Sequence, residues 1–118
     1  MTATIPYERA PYEARGLGRL VEPDARMRAP SLHPWSRAQV HADGFGVTIS
    51  WVRDVVEGLH SVEVEYTNDS VRIGVNIGTR PGFWGVNGLV VLNVVVENTI
   101  VHLREPIGGR RVEMIRAA

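Results

Sequence analysis

The sequence predicts an all-β domain: a small antiparallel sandwich or open barrel of five to six strands, preceded by an extended N-terminal arm. Three observations predict it. Apolar residues alternate with polar ones at a period of two in several short segments between residues 47 and 114, the pattern of half-buried strands. Valine and isoleucine dominate the apolar positions; both lose rotamer freedom in a helix and pack well on a pleated sheet. Five of the seven prolines fall within the first 37 residues, where each removes a backbone donor and restricts the residue before it.

Residues 1–37 therefore read as a Pro/Arg-rich arm, extended or disordered, and 38–118 as the β domain. The arm opens with a tandem repeat, PYERA and PYEAR, at Pro6–Ala10 and Pro11–Arg15. Little regular structure is expected in it beyond one short turn near 14–21. Tyr7, Tyr12, Leu17, Leu20, Leu32 and Trp35 supply apolar side chains for a groove on this or another subunit.

Val47, Ile49 and Trp51 alternate with Thr48 and Ser50 as a first strand. His60, Val62, Val64 and Tyr66 alternate with Glu63 and Glu65 as a second, and Val71, Ile73, Val75 and Ile77 alternate with Arg72, Gly74 and Asn76 as a third. Asn68-Asp69 between the last two is a two-residue hairpin loop, both residue types tolerating positive φ. That loop sets Tyr66 opposite Val71, Val64 opposite Ile73 and Val62 opposite Val75, with Glu65 opposite Arg72 on the other face. A slip of one residue would set apolar side chains against charged ones.

Leu89–Val96 is a nearly continuous apolar run holding five valines; it reads as a strand buried on both faces, with a helix as the lesser option. Thr99, Val101 and Leu103 form another alternating set, with Glu97-Asn98 either a tight turn or part of one strand running through. Pro106–Gly109 reads as a hairpin corner closed by positive φ at Gly108 and Gly109, with Pro106 in the first corner position. Val112 and Met114 make a last short strand. Arg104, Arg110 and Arg111 then sit at strand ends, and neighbouring residues on a strand point to opposite faces, so no phosphate clamp is expected of them.

The stretch TIVHLREPIGGRRV resembles the C-terminal end of a group of small actinobacterial proteins. Their usual ending is an alternating strand followed by Leu-x-x-Pro-Leu-Gly-x-Arg-x-Val. Leu103, Pro106, Gly108, Arg110 and Val112 match, and Ile107 stands for the leucine. The preceding VEVEYTNDSVRIGVNIG hairpin is similar to that group as well. The resemblance covers roughly Trp51–Glu113 and implies a β fold; it implies no catalytic residue. Many proteins of the group carry a cysteine pair or a secretory leader, and this chain shows neither.

Composition narrows the function classes. The chain has 118 residues, 44% of them hydrophobic, room for a single domain. Thirteen arginines balance 13 acids, whereas nucleic-acid binders usually carry a basic excess. Lysine is absent, which removes the Walker lysine and Schiff-base chemistry. Cysteine is absent too, so there is no disulfide framework and no thiolate nucleophile, and a cytoplasmic location is the expectation. The apolar run at 89–96 is far shorter than the ~20 residues of a membrane span, and the first residues lack the apolar core of a secretory signal.

Candidate chemistry is sparse. His33, His41, His60 and His102 lack metal-ligand spacing, no G-x-S-x-G elbow exists, and Glu63 with Glu65 reads as a solvated pair on one strand face. The segment GTRPGFWGVNG, 78–88, places Arg80, Phe83 and Trp84 in one loop. Folded back, Phe83 and Trp84 cap the open end of the sheet, the favoured arrangement because large aromatics are costly to leave in water. Exposed, they form a contact anchor of the kind enriched in hot spots. The expectation is a non-enzymatic β domain that binds a protein partner or itself, as in a homodimer. Arg80, Phe83 and Trp84 form its surface and Trp35 a second anchor, with no catalytic residue, metal, cofactor, nucleic acid or membrane involved. The alternative is a small-molecule-binding or catalytic barrel with a pocket near its mouth lined by His60, His102 and Trp51.

Overall fold

A computed structural model describes residues 18–82 and 94–117. The described residues form eight strands and no helix: β1 (Arg19–Leu20), β2 (Arg28–His33), β3 (Arg37–Val40), β4 (Gly46–Asp54), β5 (Glu57–Tyr66), β6 (Ser70–Thr79), β7 (Val94–His102) and β8 (Arg111–Met114). One sheet has the order β1-β7-β4-β3; in the other, β6 is flanked by β5 on one side and by β2 and β8 on the other. The sheets pack as a sandwich, and no closed barrel forms. Among the described residues no helix is long and apolar enough to cross a membrane.

The core lies between β4 and β6. Period-two alternation turns Val47, Ile49 and Trp51 of β4 toward Val71, Ile73, Val75 and Ile77 of β6, all at or below 4% exposure. Ala38, Leu59, Val101, Leu103, Ile107 and Val112 complete the cluster.

The β5–β6 hairpin has the predicted register: Tyr66 pairs with Val71, Glu65 with Arg72, Val64 with Ile73 and Val62 with Val75. Two details differ from expectation. Asn68 and Asp69 do not adopt positive φ; instead the Thr67 hydroxyl accepts the Ser70 N–H at 2.9 Å, standing in for a backbone carbonyl, while the Thr67 N–H donates to the Ser70 carbonyl at 2.9 Å. Further along, the register shifts between Leu59 and Ser61. This bulge takes His60 out of the alternation and lets Leu59 enter the core at 2% exposure.

The strand count exceeds the predicted five or six because the lead segment contributes β1 and β2 and Arg37–Val40 adds β3. Arg19–Leu20 is strand β1, parallel to β7, where a turn was expected; Val21 extends the contact by donating to the Asn98 carbonyl at 2.8 Å. β2 adds antiparallel to β6 despite Pro30, because a register shift between Arg28 and Ser31 carries the proline past the ladder. Ala29 in this bulge has φ of 51°. The Arg28 carbonyl consequently approaches β6 so closely that a Cβ on Gly78 would lie 2.6 Å from it.

Glu97 and Asn98 lie within β7, whose pairing with β4 runs unbroken from Gly46↔His102 to Asp54↔Val94. Residues 89–93 of the apolar run lie outside the described residues. Val94–Val96 begin β7, and Val94 is exposed rather than buried on both faces. The corner after β7 is not a hairpin. β7 belongs to one sheet and β8 to the other, where β8 pairs parallel with Ser70–Ile73 of β6. Leu103 and Ile107 drop into the core between the sheets, which makes the segment an arch across the sandwich end. Its turn spans Ile107–Arg110, closed by Arg110 N–H to Ile107 carbonyl at 3.1 Å. Only Gly108 has positive φ, 61°, and Pro106 precedes the turn.

Candidate functional site

Arg80 follows β6, its N–H donating to the Val56 carbonyl at 2.9 Å. Its side chain lines a cleft of about 130 Å³ at one end of the sandwich, together with Arg19, Asp24, Met27, Arg53 and Glu97. Among the described residues its guanidinium makes no hydrogen bond or ion pair. Phe83 and Trp84, the rest of the predicted surface, lie outside the described residues.

Trp35 sits at the edge of β6 where the neighbour changes from β8 to β2. Its indole N–H donates to the Ile73 carbonyl at 2.8 Å, its backbone N–H meets Met114 Sδ at 3.3 Å, and its ring packs against the core. The Ile73 carbonyl also accepts the Ile115 N–H at 2.9 Å, so both its lone pairs are used where the two edge strands meet.

The alternative pocket does not assemble. Trp51 points inward and is fully buried, whereas His102, at the opposite parity on β7, is exposed on the outer face. His60 belongs to the other sheet. Its Nδ1 lies 2.8 Å from Ser61 Oγ, but its other ring nitrogen has no partner among the described residues, and Asn76 Nδ2 donates to the same Oγ at 3.1 Å. An activated serine needs a base held by a third group. Among the described residues no three His, Asp or Glu side chains gather as a metal site.

The arginines of the last turn converge more than strand parity suggested. Arg104 and Arg110 carry their guanidinium carbons to 4.7 Å and 5.5 Å from the Tyr66 ring centre. Arg110 is further held by Glu105 Oε1 at 3.0 Å and the Pro106 carbonyl at 3.0 Å. Arg111 leaves toward Glu113, 3.5 Å away. Bound to its own loop, Arg110 clasps the arch and is not left open for an anion.

Among the described residues the outer edge of β5 is an unmet backbone surface. Leu59 of β5 accepts the Asp24 N–H at 3.0 Å, but from Ser61 to Tyr66 the outer edge of β5 has no backbone partner among the described residues. The ladder phase identifies the groups involved. Thr67–Ser70 is a hydrogen-bonded pair, so Glu65–Arg72 and Glu63–Gly74 are too, and the intervening Tyr66, Val64 and Val62 turn their N–H and C=O groups outward. The side chains of those same three residues pack on the core flank yet remain half-buried.

Glu63 and Glu65 point to the outer face and are exposed. Glu63 Oε2 accepts Asn76 Nδ2 at 2.8 Å. Glu65 has no hydrogen bond or ion pair among the described residues, because Arg72, its register partner, makes its ion contact with Glu113 of β8 at 3.5 Å. An open groove of about 660 Å³ runs beside this row, lined by Glu65, Arg72, Glu113, Met114, Ile115 and Arg116.

Alternation made the faces of β5 legible from the sequence. That its far edge is left unpaired among the described residues depends on which strands the lead segment and β8 select. No protein-family model, curated protein or solved structure significantly matches the chain.

Proposed function

We propose that this chain is a binding domain that associates with another polypeptide by strand addition to the outer edge of β5. The observation that carries the reading is the set of outward N–H and C=O groups at Val62, Val64 and Tyr66, unpaired among the described residues and set beside half-buried apolar side chains. An added strand satisfies the first through main-chain hydrogen bonds and covers the second with alternate side chains. Nothing in the reading requires catalysis.

The test is selection of peptides from a random display library against the full chain and against Val64→Pro, which removes one outward donor and leaves the β6 ladder intact. The expected outcome is enrichment of extended peptides that protect the Val62, Val64 and Tyr66 amides from exchange and lose affinity for the variant. Enriched peptides that bind both proteins alike would exclude the edge.

A small-molecule carrier is the second reading, and one observation favours it: among the described residues the Arg80 guanidinium has no hydrogen bond or ion pair at the cleft beside Arg53. Glu22, Asp24 and Glu97 line the same cleft and oppose an anion. A thermal-shift screen of small carboxylates that leaves the melting temperature unmoved removes this reading.

A further inference from the structure

We infer that the strand added at β5 comes from a segment whose side chains alternate apolar and basic, and not from a second copy of β5. The inference rests on the edge reading above and names the partner's chemistry. In an antiparallel pair, directly opposite residues both turn their backbone groups toward the partner or both away from it. Val62, Val64 and Tyr66 therefore pair with one another in any two-fold β5–β5 contact, and Glu63 and Glu65 likewise. The registers that use most of Ser61–Tyr66 set Glu63 opposite Glu65 or opposite itself. Like charges directly opposite are destabilising, so self-pairing is the arrangement this edge disfavours.

The same parity defines what fits. Every second residue of an added strand lies over the half-buried flank of Val62, Val64 and Tyr66 and favours an apolar side chain. The residues between lie beside Glu63 and Glu65, two positions apart on β5 and about 7 Å from each other by strand geometry. Basic side chains at the same two-residue spacing meet both carboxylates. Among the described residues the Glu65 carboxylate is unengaged and Glu63 is held by the neutral Asn76 amide alone, so neither needs to leave a described cation to accept one.

The experiment titrates the full chain with short acetylated, fluorescein-labelled peptides of alternating valine with arginine, glutamine or glutamate, reading anisotropy and amide exchange. The arginine peptide is expected to bind and to slow exchange at Val62, Val64 and Tyr66. Glutamine should weaken it about fivefold at low salt, as two cross-strand charge pairs would, and the difference should shrink as salt screens the pairs. Glutamate should bind weakest. In Glu63→Gln/Glu65→Gln, both sites exposed, the three peptides should converge.

Equal binding of the arginine and glutamine peptides overturns the charge inference and leaves the edge reading standing. Self-association of the chain with protection at the same three amides does so as well. If no peptide protects those amides and the chain stays monomeric, or if a peptide N-methylated on its bonding side binds as well as its parent, the edge reading and this inference both fall.

Discussion

Arg53 on β4 and Glu97 on β7 lie diagonally across one ladder on the inner face of their sheet, and their ion pair is sealed from solvent. Arg53 Nη2 donates to Glu97 Oε2 at 2.7 Å, and Nε stands 2.7 Å from Oε1, bent away from the hydrogen-bond direction. The side chains are 2% and 5% exposed. Arg53 Nη1 also donates to the Asp54 carbonyl at 2.8 Å. Removing one partner strands a buried charge, so Arg53→Met alone should cost about 3–5 kcal/mol. The double change Arg53→Met/Glu97→Leu should return to within about 1 kcal/mol of the parent. Urea unfolding of the three proteins checks both.

Gly78 sets the approach of β2 to β6. With a Cβ there 2.6 Å from the Arg28 carbonyl oxygen, Gly78→Ala should lose about 1–3 kcal/mol through overpacking. Gly109→Ala is the control. No heavy atom lies within 4 Å of its Cβ position, so its change should stay within about 0.5 kcal/mol.

The Thr67 hydroxyl replaces a carbonyl at the hairpin turn, and Ser70 is 2% exposed. Thr67→Val keeps the shape and orphans the Ser70 N–H, an expected loss of about 1–3 kcal/mol. Thr67→Ser retains the acceptor and should remain near the parent in thermal unfolding.

Asp24 receives the Arg26 guanidinium, with Nη2 at 2.8 Å, and the Arg26 backbone N–H at 3.0 Å. The hydrogen bonds to Arg26, with a smaller push from the Arg26 and Arg80 charges, lower its carboxyl from the ordinary 3.8 to about 2. The folded state thus holds Asp24 ionised more strongly than the unfolded chain does. The stabilisation is complete above the unfolded value of 3.8 and is lost as pH falls through about 2. Carboxyl NMR titration should show the lowered midpoint, and Arg26→Ala should move it back up.

Trp35 separates an internal role from a surface role. Trp35→Phe removes the bond to the Ile73 carbonyl and should destabilise by about 1 kcal/mol. An aromatic serving only an external partner would leave the unfolding curve where it is.

Much of the hairpin was readable because period two, a turn dipeptide and an opposite-charge pair agree on one register. The buried ion pair left a fainter trace. Arg53 continues the Val47, Ile49, Trp51 parity, and Glu97 continues that of Val101 and Thr99, so each charge stands on an apolar stripe. Alternation alone does not say that two such charges meet, because the pairing of β4 with β7 joins segments far apart in the chain. The bulge at His60 was hidden for a related reason: an inserted residue reverses parity without changing composition.

By itself the sequence determined the all-β class, the inward residues of β4 and β6 and the β5–β6 register, since side-chain direction along a strand follows from local geometry. Only the tertiary structure decided that the lead segment supplies β1 and β2, that β8 crosses to the other sheet and runs parallel to β6, and that among the described residues β5 keeps an open edge. Those choices are made by long-range competition for strand edges. Many pairings satisfy the local pattern, and packing of the whole sandwich selects among them.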